Sequence, residues 1–359
     1  MAWETPQYTK SDINNAGKVL INQHSSATEI ESALKVLDNW RASHSYPLHI
    51  FQMTLLNKTK RVEKKSTPIV AQRLKRAPAI LYKLSRHYYG RAPSMKLYQM
   101  QDIGGCRSVL PTISQARKLY EEHYLKGDLK HIRRGEKDYV KIPKEDGYRS
   151  FHLIYEYKSK NKAKMVYNGL LIEIQIRSKL QHVWATAIET VDFFTRQALK
   201  TNEGEKEWFD FFRLVSSAFA MMERCPIVPG TIADEKKLYS EIKRKAASLN
   251  VIKKMKSWKE AMKFFDRDVK KSFTNDTQFF LLELDILGEK LNITGFKKDK
   301  EQTAIEEYAR LEKRHSGKKD FDVVLVGFNS FKDLKKAYPN YFLDSDEFVE
   351  HLTQIISKY

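Results

Sequence analysis

Hydrophobic and polar positions alternate most sharply in NGLLIEIQIRS (Asn168 to Ser178). There Ile172, Ile174 and Ile176 fall on one face of a strand and Glu173, Gln175 and Arg177 on the other. KEDGYRSFHLIYEY (Lys144 to Tyr157) predicts another strand, with Gly147, Tyr148 and Arg149 at its lip. IGGCRSVL (Ile103 to Leu110) reads as a short buried strand and ISQARKLYEEHYL as an amphipathic helix after it. The connection from there to Lys144 is polar and basic. Nearer the start, SATE (Ser26 to Glu29) has capping-box spacing and opens a helix to about Ser43. A second helix follows Pro47, with Leu48, Phe51, Leu55 and Leu56 on its apolar face. Helical periodicity dominates from Leu180 to about Asp268, broken at CPIVPG (Cys225 to Gly230). Beyond it, FFLLELDILGEKLNITGF predicts two strands joined at Gly288. A helix near Glu301–Lys313, a strand FDVVLVGF and a last helix SDEFVEHLTQII follow. The expected class is α+β, a central sheet flanked by helices over residues 1–268 and a small α+β module over 269–359.

Composition supports two folded units: 359 residues, 42% apolar and 12% aromatic. Two cysteines, Cys106 and Cys225, are too few for a disulfide framework or a cysteine zinc cluster. The first 30 residues show no signal-peptide pattern, and no 18-residue apolar stretch occurs, so a cytoplasmic protein with no membrane contact is expected. Charge changes the picture more. The net charge is +19, but residues 269–359 hold 15 basic and 16 acidic side chains, and the preceding 268 hold 49 and 29. An excess of +20 on one unit favours a polyanion, either nucleic acid or nucleotide phosphates.

Between Asn57 and Arg91 lie eleven basic residues and one acid, Glu63. Within that stretch Pro78 starts a helix on which Lys83 and Arg86 share a face. Cations so spaced can hold phosphates, and they equally make a solvated helix face. The row Glu173, Gln175, Arg177 is either a wet surface or a polar site. Asp102, ahead of Gly104 and Gly105, can cap a turn or hold Mg2+, which takes oxygen ligands and one or two carboxylates. No phosphate-binding G-x-x-x-x-G-K-[ST] loop, H-E-x-x-H helix, G-x-S-x-G elbow or His-Asp dipeptide occurs.

Taken in order, RLKRAPAILYKL, QDIGGCRSVL, KIPKEDGYRSFH and IEIQIRSKLQHVWA resemble the RelA/SpoT nucleotidyltransferase domain. The resemblance implies that fold, and an ATP-dependent pyrophosphokinase that moves the β,γ-pyrophosphate of ATP onto a ribose 3′-hydroxyl. It implies that Arg73 and Arg107 sandwich the adenine and that Lys75 and Lys83 neutralise ATP phosphates. Asp102 binds Mg2+, and Glu173 joins it or activates the attacking hydroxyl, with Gln175 and Arg177 in support. Tyr148 stacks on the acceptor's base, beside Arg149, Ser150 and His152. The sequence departs from the family at Ala79, where a serine is frequent, and at Thr186 and Thr190 in HVWATAIET, where an acid and a histidine are frequent and leave Glu189 displaced by one.

Two acceptors fit this family. Small alarmone synthetases use GDP or GTP, whereas a toxic branch modifies the 3′-CCA end of tRNA and stops translation. The basic unit favours tRNA, with Lys58, Lys60, Arg61, Lys64 and Lys65 along its phosphates. KKAYPNYFLDSDEF is similar to the neutralising segment of the fused toxin–antitoxin branch, the CapRel proteins. That similarity implies a C-terminal pseudo-zinc-finger antitoxin in which Tyr338 and Tyr341 cover the ATP site until a phage major capsid protein binds. The expectation is therefore a monomeric, autoinhibited anti-phage tRNA pyrophosphokinase that does not bind DNA. The alternatives are an alarmone synthetase regulated by its tail and a non-enzymatic RNA-binding adaptor.

Overall fold

The computed structural model describes residues 3–67, 69–86, 93–195, 206–252, 254–255, 276–285, 290–315, 318, 321–327 and 346–359. Three helices open the chain: α1 (Lys10–Ile21), α2 (Ala27–Ser43) and α3 (Ser45–Val62). The SATE capping box is present, Ser26 accepting from the Glu29 amide and Glu29 from the Ser26 amide. Helix α1 carries a second box, Thr9 with Asp12.

A five-stranded mixed sheet follows in the order β1-β2-β5-β4-β3. Its strands are β1 (Ile69–Leu74), β2 (Gly104–Leu110), β3 (Ile132–Asp138), β4 (Phe151–Glu156) and β5 (Leu171–Ser178). Strands β2 and β5 are parallel, and the other pairs are antiparallel. Helix α4 (Ala77–Ser85) leaves β1 with Pro78 in its first turn, and α5 (Ile113–Tyr120) leaves β2. The register places Ile172, Ile174, Cys106 and Leu153 on one face, under Phe51 and Leu55 of α3 and Leu119 of α5, all buried. Burying each large side chain of this set stabilises by roughly 1.5–3 kcal/mol. The opposite face carries Arg73, Arg107, His152, Glu173, Gln175 and Arg177, so alternation along the strands separates stability from chemistry.

Helices α6 (Lys179–Thr195), α7 (Lys206–Met222) and α8 (Glu235–Ser248) form a second core around Trp208, Phe211 and Phe212. Strands β6 (Thr277–Asp285), β7 (Lys290–Lys297) and β8 (Phe321–Gly327) make an antiparallel sheet in the order β7-β6-β8. Helix α9 (Glu301–Arg314) packs on it through Tyr308 and Leu311. The small sheet meets the first body where β8 runs beside β1. The last helix, α10 (Asp346–Lys358), packs into the α6–α8 core through Phe348, Leu352 and Ile355. The boundary expected after Asp268 and the turn at Gly288 lie outside the described residues. Among the described residues no helix is long and apolar enough to cross a membrane.

Candidate active site

The polar face of the sheet floors a cleft of about 440 Å³, walled by β1 on one side and by α6, through Ala185, Ile188 and Glu189, on the other. Two phosphate-seeking cations already converge there on one carboxylate. Lys75, just after β1, reaches Asp102 Oδ2 at 2.9 Å, and Lys83 on α4 reaches Oδ1 at 2.9 Å. Burial alone pushes the Asp102 carboxyl up, but the two ammonium groups outweigh it and hold the acid at about 2. Burial lowers Lys75 against the pull of Asp102. Asp102 is thus ionised, with both lysines held at its side.

Arg73 and Arg107 rise from neighbouring strands into the same cleft. Arg73 pairs with Gly105, two residues from Arg107 on β2. Diagonal positions of that kind are roughly 7–8 Å apart. Gly105 leaves the floor between them open, since a Cβ there would meet only the Glu173 carbonyl, at 3.8 Å.

At the far end stands Tyr148, held by the turn ahead of β4. Gly147 has φ +91°, and a Cβ there would lie 2.9 Å from Trp184 and 3.0 Å from Ser216, so this turn admits glycine alone without strain. The Tyr148 hydroxyl bonds His152 Nε2 at 2.7 Å and accepts from Arg177 at 2.7 Å. His152 Nδ1 lies 2.9 Å from Glu173 Oε1. Burial raises the Tyr148 phenol, yet Arg177 and His152 beside it carry it below its usual range. Burial opposes the charge on His152, and Tyr148 and Glu173 override it and raise the imidazole. Burial likewise raises Glu173, and His152 overrides that too, so the carboxylate is ionised. Lys144 Nζ stands over the rings of Tyr148 and Tyr139, at 4.9 and 4.7 Å. Its motif was legible in the sequence, but its own role was not assigned there.

The structure therefore brings together Arg73, Lys75, Lys83, Asp102, Arg107, Tyr148, His152, Glu173, Gln175 and Arg177. Arg149 and Ser150 are placed elsewhere. Arg149 is buried and donates to the carbonyls of Val140 (3.3 Å) and Pro226 (2.8 Å), which tie the lip to the loop after α7. Ser150 is buried and donates to the Ile176 carbonyl at 3.1 Å. Lys58, Lys60, Arg61, Lys64 and Lys65 lie at the end of α3, which packs on the apolar face of the sheet through Thr59 and Ser108. Lys58 is spent on the His123 carbonyl at 2.6 Å. Thr186 and Thr190 bond carbonyls of their own helix in the core, whereas Glu189 faces the cleft. Tyr338 and Tyr341 lie outside the described residues.

Asp102 and Glu173, both ionised and both facing the cleft, fit a cation completed by phosphate oxygens and water. Among the described residues no group of three or more His, Cys, Asp or Glu could hold a metal ion.

Residues 72–192, which span the whole of this constellation, match the model for the region found in RelA / SpoT proteins. This segment is a RelA/SpoT region. The chain is similar to GTP pyrophosphokinase YjbM of Bacillus subtilis (strain 168), at 26% identity over 175 residues, 49% of this chain and 78% of the relative. Among solved structures it is similar to small alarmone synthetase 1 from Bacillus subtilis, at 22% identity, TM-score 0.40, 50% of this chain and 88% of that one. Small alarmone synthetase 2 from the same organism gives 22% identity, TM-score 0.42, 52% and 94%. The RelA/SpoT region thus accounts for the cleft, and about half of the chain lies beyond these matches.

Proposed function

We propose that this chain is an ATP-dependent pyrophosphokinase whose acceptor is the 3′-terminal ribose of tRNA. The observation that carries the transfer chemistry is the arrangement of one cleft. Asp102 with Lys75 and Lys83 stands at one end, and Glu173 stands in a polar row leading to Tyr148 at the other. In the proposed step the acceptor oxygen O3′ bonds to the β-phosphorus of ATP and the bond from that phosphorus to the bridging α–β oxygen breaks. AMP leaves and the proton of O3′ passes to Glu173. Transfer of this kind needs alignment and cations on spreading charge rather than covalent catalysis. Arg73 and Arg107 orient the adenine, and Lys75 and Lys83 exchange Asp102 for phosphate oxygens. Asp102 and Glu173 would hold Mg2+, which when bound neutralises phosphate charge.

The excess of +20 over the first 268 residues supports tRNA as acceptor. With the α3 lysines behind the sheet, the cations at the acceptor end are Arg177, bonded to the Tyr148 hydroxyl, and Lys144, 4.9 Å from the Tyr148 ring. A guanosine nucleotide as acceptor is favoured instead by the similarity to a protein named GTP pyrophosphokinase. We propose further that the C-terminal module is an antitoxin-like restraint of pseudo-zinc-finger type, released by a phage major capsid protein. That reading rests on the resemblance of KKAYPNYFLDSDEF to the fused toxin–antitoxin branch.

The test offers the full chain ATP labelled on the γ-phosphate with bulk tRNA or with GDP and GTP, with and without capsid protein. Label on tRNA that is lost when the 3′ adenosine is removed, and that rises with capsid protein, is the expected result. Label on guanosine nucleotides alone overturns the tRNA reading and leaves an alarmone synthetase. Glu173→Gln is expected to lower transfer by about 10²–10⁴-fold. Unchanged transfer by that variant would remove Glu173 from the catalysis, whereas no label on any acceptor from the wild-type chain would leave the RNA-binding adaptor.

A further inference from the structure

Five side chains on the cleft face close a ring of hydrogen bonds. Arg177 Nη2 donates to the Tyr148 hydroxyl at 2.7 Å and to Gln175 Oε1 at 3.0 Å. Gln175 Nε2 donates to Glu173 Oε2 at 2.7 Å. Glu173 Oε1 lies 2.9 Å from His152 Nδ1, and His152 Nε2 lies 2.7 Å from the Tyr148 hydroxyl. Four of the five members come from paired positions, because His152 stands opposite Gln175 on β4 and β5 while Glu173, Gln175 and Arg177 alternate along β5. The fifth, Tyr148, comes from the turn at Gly147 and joins the two ends.

Both oxygens of Glu173 are held by this ring, one from each side. The terminal torsion of a glutamate is otherwise broad. A carboxylate that must meet one hydroxyl in one direction gains from having that torsion fixed. Stacking on a base needs only the face of Tyr148, not its oxygen. A phenylalanine would stack equally well, yet the oxygen bonds both His152 and Arg177 and so closes the ring.

We propose that the Tyr148 hydroxyl is a positioning group for Glu173, acting through His152 on one side and through Arg177 and Gln175 on the other, apart from any stacking by the ring. His152 is in this account a support for the carboxylate rather than a contact for the acceptor. The inference rests on the reading of Glu173 as the group that receives the acceptor's proton.

The test compares Tyr148→Phe and Tyr148→Ala in the full chain, using ATP and whichever acceptor the wild-type chain labels. Tyr148→Phe is expected to lower kcat by about 10–100-fold, the usual cost of losing a partner that orients a functional ligand. The acceptor KM should stay within about twofold, because the ring face is kept. Tyr148→Ala should damage both constants. A wild-type kcat in Tyr148→Phe overturns the proposal, as does a rise in acceptor KM with kcat unchanged, which would make the hydroxyl a binding group. A second readout needs no turnover: the ¹⁵N imidazole resonances of His152, assigned with His152→Gln. A shift of these in Tyr148→Phe supports the ring and unchanged signals overturn it, even if the wild-type chain labels no acceptor and the proposed reaction itself falls.

Discussion

Arg41 offers the sharpest test of how the C-terminal module is held. It sits on α2, only 3% exposed, and places Nη1 2.7 Å from Glu312 Oε2 on α9. Nη2 bonds the Tyr308 hydroxyl, and Nε donates to the Lys75 carbonyl at 2.9 Å. Burial disfavours the guanidinium's charge, but Tyr308, Glu312 and Asp38 around it more than compensate. Asp38 is 3.5 Å away and 52% exposed, so it is a weak substitute for Glu312, which is 10% exposed. Removing one partner of a buried pair typically costs about 3–5 kcal/mol, because the other charge stays buried. Glu312→Ala should therefore shift the docked-to-undocked ratio of α9 by several hundred-fold, at roughly 1.4 kcal/mol per tenfold. Glu312→Gln keeps an acceptor for the guanidinium, and a hydrogen bond to a charged group returns about 1.5–3 kcal/mol, leaving a shift nearer 30-fold.

Native-state hydrogen exchange on the full chain reads this directly, since undocking lowers protection along α9 and β8 while the centre of β5 serves as control. The paired variant Arg41→Met with Glu312→Leu removes both charges and should restore most of the protection. Protection along α9 within about twofold of wild type in Glu312→Ala would refute the reasoning, and so would a paired variant no better than the single one. Because Nε of Arg41 is bonded to the backbone of Lys75, the same guanidinium connects the small module to a lysine of the cleft.

Two further outcomes follow from the cores. Leu352 on α10 is fully buried in the α6–α8 cluster, so Leu352→Ala should cost about 2–5 kcal/mol in denaturant unfolding; an unchanged midpoint would show that α10 does not belong to that core. His44 is buried, and burial depresses its imidazole from 6.5 to about 4 despite the bond to the Trp40 carbonyl. The unfolded chain then takes up this proton first, so stability present above pH 6.5 falls as pH drops toward 4, by up to about 3 kcal/mol. His44→Gln should flatten that slope, and an equal slope in the variant would mean other groups set it.

The alternating face of β5 was legible because three isoleucines at period two fix which face is buried. The cleft was legible because four motifs place their polar residues on adjacent strands. Strand β3 (IRRGEKD) was not, since it lies at the sheet edge, is largely exposed and shows no apolar alternation. Strand β1 was hidden inside the basic run because it is short and Arg73 on it, with Lys75 just after it, belongs to the cleft. Arg149 and Ser150 share a motif with Tyr148 yet turn into the interior, a choice made by contacts with Pro226 and Ile176 that no local pattern shows. Arg41 and Glu312, 271 residues apart, were beyond any local rule.

A row of charged and polar side chains on a half-buried sheet face should weaken the fold, because each desolvated group without a partner costs about 1–3 kcal/mol. Here most of that cost is avoided by mutual satisfaction: Glu173, Gln175, Arg177, His152 and Tyr148 supply donors and acceptors to one another, and Arg177 Nε alone of the ring is buried without a partner among the described residues. A network of this kind fails as a unit, so deleting one member strands its neighbours, and single losses should not add. The same interdependence lets the chain keep an ionised glutamate at a fixed angle before any substrate arrives. On the other end of the cleft the logic is reversed. Asp102, Lys75 and Lys83 satisfy one another only as a three-charge cluster, and a triphosphate with its cation can replace each of those contacts. In the proposed reaction the acceptor end would thus stay fixed while the nucleotide end exchanges partners, a division of labour that suits pyrophosphate transfer.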